Sequence, residues 1–375
     1  GSTLRIQPAH DRAGPAHHPL TSSPAPDRVT GRRRVLLALA ACLLVALIII
    51  IASRLHRGLE VSASAAESVV TAEVLEAGAA RPEMPPPTGS WHSITLPDNW
   101  DGRRPDYRGY VWYRFALPPS ARQWQRPAVY LPAAGMNAEL WLNGERVGGA
   151  GHMSMPVSRH FYTPQLIELP RSAMAGAGDG QLLVLLAGYP GYRSGLAPVW
   201  LGEHDDLYDA FRMRRFWQTE GNAATIIVNI TIAVFVLVIG WRDREHRAYV
   251  WFGAAALVWA LRNLNYWVTN PAIPDLLFAE LCVSGAAWFT ALFAIFALRF
   301  AEANQPGYRG PRWLPKTALV YAVVATLYFV SAADYGRANA GFAALAAVGV
   351  ALTAWSMLRL VLLAIARPSA DMAAV

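Results

Sequence analysis

The residues best suited to chemistry in this chain are binding residues rather than catalytic ones. Gly151–Thr163 reads GHMSMPVSRHFYT, a polar loop carrying Arg159 and His160 beside Phe161 and Tyr162. Tyr189 and Tyr192 stand in a second loop-like stretch. Rings offer flat apolar faces, and the planar fork of arginine matches a carboxylate, so such a set suits a sugar or a carboxylate ligand. Arg114 joins it, although on a strand its guanidinium can equally pair with a carboxylate such as Glu139. The candidate ligand-binding residues are thus Arg114, Arg159, His160, Tyr162, Tyr189 and Tyr192. The alternative for Gly151–Thr163 is an ordinary crossover loop.

Two other groupings carry charge. Arg262 and Glu280 fall near the ends of neighbouring apolar runs, where an ion pair would offset the cost of placing either alone in lipid. The alternative is that both snorkel to the interface. Glu203, Asp205 and Asp206 offer oxygens to a cation or form a solvated loop. His10, His17 and His18 have no second cluster to complete a metal site. The chain has no Walker A loop, no GxGxxG after a strand, no zinc spacing and no GxSxG elbow. No catalytic residue, metal or cofactor is therefore expected.

Composition narrows the class. The 375 residues are 54% hydrophobic and 16% charged, with mean hydropathy +0.24. That is too apolar for an ordinary soluble protein and too polar for one that is membrane throughout. The formal charge of +7 comes from arginines clustered beside apolar runs, as the positive-inside rule requires, and no nucleic-acid motif accompanies it. Both cysteines, Cys42 and Cys282, lie inside apolar runs, so no disulfide framework is available to a soluble region. The chain opens on Gly-Ser rather than Met, as expected of a piece of a longer protein.

The elements that position these residues follow in chain order. Residues 1–31 are rich in Pro, His, Ser and Arg and are expected to be a disordered cytoplasmic tail. Val35–Ser53 is an apolar run long enough to span a bilayer, preceded by Arg32, Arg33 and Arg34. It reads as an uncleaved anchor with a cytoplasmic N-terminus; a signal peptide cleaved after Ala63-Ser64-Ala65 is the alternative. Residues 60–89 read as a linker, with room for a short helix before the proline-rich RPEMPPPTG.

From 90 to 208 the pattern is short β-like runs broken by turn residues. The runs are His92–Leu96, Tyr110–Leu117, Ala128–Leu131, Ala138–Leu142, Leu166–Leu169, Leu182–Ala187 and Ala197–Leu201. This spacing predicts a β-sandwich of the jelly-roll kind. Asn143-Gly144 is a hairpin signal, because a type I′ turn needs positive φ at both central residues. The alternation of Glu139 and Trp141 with apolar neighbours predicts a strand with one buried face.

Five more apolar runs follow, at 221–240, 248–268, 276–298, 317–333 and 340–366, before a cytoplasmic end at 367–375. The arginine-rich loops 241–247 and 299–316 both fall inside when counted from a cytoplasmic N-terminus. The fold class is then mixed and multi-domain: an extracytoplasmic β-sandwich plus an α-helical transmembrane bundle.

Trp91 with LPDNW, then YVWYRFALP, VYLP, AELWLNGERVG and LLVLLA, resembles the galactose-binding-like jelly roll. That module occurs as the sugar-binding domain of family-two glycoside hydrolases. It also occurs in bacterial seven-transmembrane receptors with diverse intracellular signalling modules. YVWFGAAALVWALRNLNYW also looks like a helix of those receptors, and the order of parts from Trp91 to Val375 is similar to theirs. The resemblance implies the sensory half of a signal-transduction protein whose effector, a histidine kinase or diguanylate cyclase, lies beyond Val375. A departure is that five spans follow the sandwich, where the family has seven. The implied partners are an extracytoplasmic ligand (carbohydrate or carboxylate), the lipid bilayer and a second copy in a homodimer. The competing class is a membrane-anchored carbohydrate-binding or scaffold protein of cell-envelope biogenesis.

Overall fold

The computed structural model describes residues 61, 66–86, 88–174, 181–192, 194–243, 245–305 and 307–366. The expected tail, the anchor at 35–53 and the end at 367–375 lie outside the described residues. Within them a sheet region precedes a helical region.

Period-two alternation of apolar residues builds the sheets. Twelve strands are described: β1 (Ala66–Val69), β2 (Thr71–Gly78), β3 (His92–Thr95), β4 (Asp98–Asn99), β5 (Gly109–Ala116), β6 (Pro127–Leu131), β7 (Asn137–Leu142), β8 (Glu145–Gly149), β9 (Gln165–Glu168), β10 (Gln181–Gly188), β11 (Gly195–Leu196) and β12 (Val199–Glu203). One sheet runs β1-β12-β6-β9, a second runs β3-β2-β5-β10-β7-β8, and β11-β4 form a ribbon. The two large sheets share a core. Val129, Leu131 and Leu201 come from the first, and Val74, Val111, Tyr113, Leu140 and Val184 from the second.

Two expectations need correction. The stretch expected as linker with a short helix holds β1 and β2. Ala72 and Val74 are buried while Thr71 and Glu73 are exposed, a strand alternation hidden under an Ala- and Glu-rich composition. Strand β7 is buried along both faces rather than one. Leu140 and Leu142 face the shared core, whereas Trp141 packs with Trp112, Leu183 and Leu185 under a cover of Met153 and Val157. The loop after β8 supplies that cover. Asn143 and Gly144 have φ of 51° and 89°, so the hairpin turn has the expected hand.

Helix α1 (His204–Arg215) lays Leu207 and Ala210 on Tyr130 of the first sheet. It continues through a π-helical turn, Phe216–Glu220, into α2 (Gly221–Arg242). The whole run is 39 residues, about 58 Å at 1.5 Å per residue. Then come α3 (Ala248–Asn263), α4 (Asp275–Asn304), α5 (Leu314–Val330) and α6 (Tyr335–Ala366). Helix boundaries differ from the apolar runs where caps and prolines decide them. Pro274 precedes α4, Pro315 lies in the first turn of α5, and Asp334 accepts the Arg337 amide at 2.8 Å to start α6 five residues early.

Helix α4 is the most enclosed. Its Ala287 and Ala291 allow close approach of α5 and α6. Trp288 Nε1 donates to Thr326 Oγ1 at 2.9 Å across that contact. His204–Arg242, Asp275–Asn304 and Tyr335–Leu363 are each long and apolar enough to cross a membrane, and Leu314–Val330 is a shorter apolar helix. Ile227, Phe235 and Leu327 present large apolar side chains outward, as a lipid-facing surface does.

Candidate functional site

The loop after β8 folds back on itself before it reaches the helices. His152 N–H donates to Ser158 Oγ at 3.0 Å, and Ser158 N–H donates to the His152 carbonyl at 3.1 Å. Gly151 has φ 55°, and a Cβ there would meet Ser158 Oγ at 2.6 Å and His160 Nε2 at 2.7 Å. Only glycine allows this closure. The closed loop then presents Arg159 to the connection between α3 and α4.

Arg159 is the centre of the joint. Its side chain is 1% exposed, and its Nε lies 3.0 Å from Asp275 Oδ1 at the head of α4. Its Nη2 donates to Tyr192 Oη at 2.9 Å and to Asn265 Oδ1 at 2.6 Å. Its backbone N–H donates to the Thr269 carbonyl at 2.9 Å. The guanidinium also stands over Phe161 and Phe278. Tyr335 Oη, at the head of α6, donates to the other oxygen of Asp275. One arginine of the sheet region thus binds side chains at the ends of α3 and α4, and through Asp275 it reaches α6.

Aromatic contacts extend the joint. Tyr162 meets Tyr266 edge-on at 4.6 Å, and Tyr192 meets Tyr335 at 4.4 Å. Beside them Asn339 Nδ2 donates to the Gly191 carbonyl at 2.5 Å. Gly191 has φ 71°, and a Cβ there would reach the Gly336 nitrogen at 2.5 Å, so the two backbones touch through paired glycines.

The electrostatics fit a permanently charged Arg159. Burial opposes its charge, but Tyr192 and Asp275 outweigh burial and hold its pKa above the ordinary value. Burial pushes the Tyr192 hydroxyl well above the usual tyrosine range, so it stays neutral. His160 is pushed below the ordinary histidine value, first by burial and then by His152. Its Nδ1 is buried without a hydrogen-bond partner, which suits a neutral ring.

The expected site residues separate into groups. Arg159, Tyr162 and Tyr192 belong to the joint, with His160 behind it. Tyr189 lines an adjacent cleft of about 680 Å³, which also reaches Arg108, His152, Asp275, Asp334 and Tyr335. Arg114 is elsewhere. Its cross-strand partner is Glu73, 2.6 Å away, and it stacks on Trp91. Glu139 is instead held between Arg81 and Arg146, each at 3.0 Å. Glu203 accepts the Arg126 amide at 2.7 Å, and Asp205 takes the Arg126 guanidinium at 2.9 Å.

The expected pair of Arg262 and Glu280 is not formed. Arg262 donates to Asn263 Oδ1 at 3.2 Å and stands over Trp259 and Tyr266. The helix register explains this. Arg262 meets α4 at Gly285, where an added Cβ would lie 3.0 Å from its own Cβ. Glu280 is five residues away, about 7.5 Å along the axis. Glu280 is buried on the face it shares with Val283 and Ala287, which pack towards α5 and α6.

Sequence reasoning missed the helical half of the joint: Asn265, Thr269, Asp275, Tyr335 and Asn339. Asp275 carried the one readable signal, an acid between Pro274 and a long apolar run, which also reads as a plain helix start. Among the described residues no group of three or more His, Cys, Asp or Glu could hold a metal ion.

No protein-family model matches the chain, and no curated protein does. Among solved structures the chain is similar to a β-glucuronidase of Faecalibacterium prausnitzii, at 15% identity and TM-score 0.29, over 36% of this chain and 31% of that one. It is also similar to a glycosyl hydrolase family 2 member of Bacteroides cellulosilyticus, at 18% identity and TM-score 0.30, over 36% and 20%. A β-glucuronidase of Ruminococcus gnavus aligns at 13% identity and TM-score 0.28, over 36% and 28%. The chain spans less than a third of each of these proteins.

Proposed function

We propose that this chain is the sensory half of a bacterial signalling receptor. A jelly-roll sandwich outside the inner membrane takes up a ligand, carbohydrate or carboxylate, and the helical bundle relays its state to a cytoplasmic effector such as a histidine kinase. A ligand shifts a two-state equilibrium only through different affinity for the two states, so the binding part must be joined physically to the part that moves. The observation that carries the reading is the Arg159 joint. It fixes the cover of the second sheet to the heads of α4 and α6 through Asp275 and Tyr335. The continuous run from α1 into α2 gives a second connection, from the first sheet. A passive anchor needs neither a buried charge at the seam nor contacts to several helices.

Hydrogen exchange of the chain in nanodiscs tests the coupling. Arg159→Met is expected to lower amide protection beyond its own loop, at 265–278 and in the first turns of α6. A loss confined to 151–163 overturns the relay and leaves an anchored scaffold. Sidedness is tested with Glu145→Cys on β8 and Arg312→Cys between α4 and α5. In intact spheroplasts an impermeant maleimide is expected to label the first and spare the second; the reverse pattern overturns the orientation.

A further inference from the structure

We propose that the cleft beside the joint binds a small organic acid with a compact apolar body, its acid group held by Arg108 and His152. The proposal deepens the receptor reading by naming the class of ligand and two residues outside the expected set.

The cleft has the right size. About 680 Å³ falls within the range of small-molecule sites. Its walls come from both regions: Val157 and Pro190 from the sheet side, Pro271 and Ile273 from the α3–α4 connection. These groups offer van der Waals surface and no hydrogen bonds. The charged groups divide by wall. Arg108 and His152 stand on the sheet side, Asp275 and Asp334 on the helical side.

The sheet side carries the charge that lacks an opposite partner. Asp275 is ion-paired with Arg159 and its Oδ2 accepts the Tyr335 hydroxyl, although its Oδ1 makes no hydrogen bond. Asp334 caps α6 and lies 3.9 Å from the Arg337 guanidinium. Arg108 stacks on Tyr189 at 5.2 Å and has no carboxylate partner among the described residues. The stacking holds its planar fork at the cleft wall while leaving its N–H edge available. His152 Nδ1 lies 3.2 Å from the Ser154 carbonyl, which leaves Nε2 for a ligand. A hydrogen bond to Nε2 would complete the contact with the acid group.

The two walls therefore orient a ligand. An acid group is drawn to Arg108 and His152 and kept from the carboxylates opposite, while its apolar body lies along Val157, Pro190, Pro271 and Ile273. Thr269 and Asn270 also line the cleft and offer hydrogen bonds to a neutral sugar, but only an acid meets the Arg108 charge, so glucose is the discriminating control. A cation meets carboxylates that already have partners.

The test is calorimetric titration of the full chain in nanodiscs, with empty nanodiscs as the blank. The probes are benzoate, with benzyl alcohol, benzylamine and glucose as controls. Saturable benzoate binding is expected, with the three controls at least tenfold weaker. Arg108→Gln, which lies outside the joint, is expected to weaken benzoate by tenfold or more and to leave benzyl alcohol unchanged. The proposal is overturned if benzoate fails to saturate by tens of millimolar. Equal binding of alcohol and acid, stronger binding of glucose, or an unaltered Arg108→Gln variant also overturns it. These results are separable from the relay itself, which stands or falls on the exchange response to Arg159→Met.

Discussion

The Arg159–Asp275 contact gives a quantitative test of how the two regions are held. Arg159→Met keeps the length of the stem and removes the guanidinium. It leaves Asp275, 15% exposed, without its cation, and leaves Asn265 Oδ1 without its 2.6 Å donor. Removing one partner of a buried pair costs about 3–5 kcal/mol, because the remaining charge stays buried and uncompensated. Asp275 keeps the Tyr335 hydroxyl and some exposure, so the lower end, about 3 kcal/mol, applies here. Asp275→Asn removes the other charge and costs about 2–3 kcal/mol by the same argument. The double variant leaves no orphan charge, so its cost falls short of the sum by at least about 1 kcal/mol. The assay is chemical unfolding in mild detergent, followed by near-ultraviolet circular dichroism of the buried Trp112 and Trp141. Additivity within about 0.5 kcal/mol would show that the two groups do not interact. A cost below about 1 kcal/mol for Arg159→Met would place it with exposed surface pairs and remove the joint.

Other consequences are simpler to check. Arg262→Ala and Glu280→Ala are expected to add in a double-mutant cycle within about 0.5 kcal/mol, because no ion pair joins them; strong coupling would contradict the register. Gly144→Val places a β-branched residue at φ 89° and is expected to lower stability by about 1–3 kcal/mol, read as a lower unfolding midpoint. His160 has a folded-state pKa below its unfolded value of about 6.5, so the unfolded chain takes up its proton first. Its contribution is intact above about pH 6.5 and lost as pH falls towards the folded value, so the midpoint should drop on acidification. His160→Gln should flatten that dependence, and an unchanged slope in the variant would assign it to other groups.

Legibility in the sequence followed the range of the forces involved. Local signals read well. Asn143-Gly144 specifies its turn by backbone conformation alone, and the seven β-like runs all contain or overlap strands because period-two burial leaves its mark within a few residues. Strands β1 and β2 were hidden because alanine and glutamate dominate a stretch whose alternation rests on Ala72 and Val74. Long-range partners read poorly. The aromatic and basic loop residues were visible as a group, but Arg159 finds Asp275 across more than a hundred residues, and only the packed structure sets that distance. The same limit misled the pairing of Arg262. Sequence spacing gave similar depth to Arg262 and Glu280, while the actual offset depends on Gly285 letting the two helices approach. Arg114 found its partner on the neighbouring strand β2, in a stretch read as linker.

The most direct test of the relay is a distance across the joint. Nitroxides at Glu145→Cys on β8 and Arg312→Cys beyond the far end of α4, in a chain whose native cysteines are replaced by serine, report how the sheet region sits on the bundle in nanodiscs. The account predicts a single narrow distance distribution, and a broader or second population when Arg159→Met breaks the joint. An identical distribution in the variant would contradict the claim that Arg159 couples the sheets to the helices.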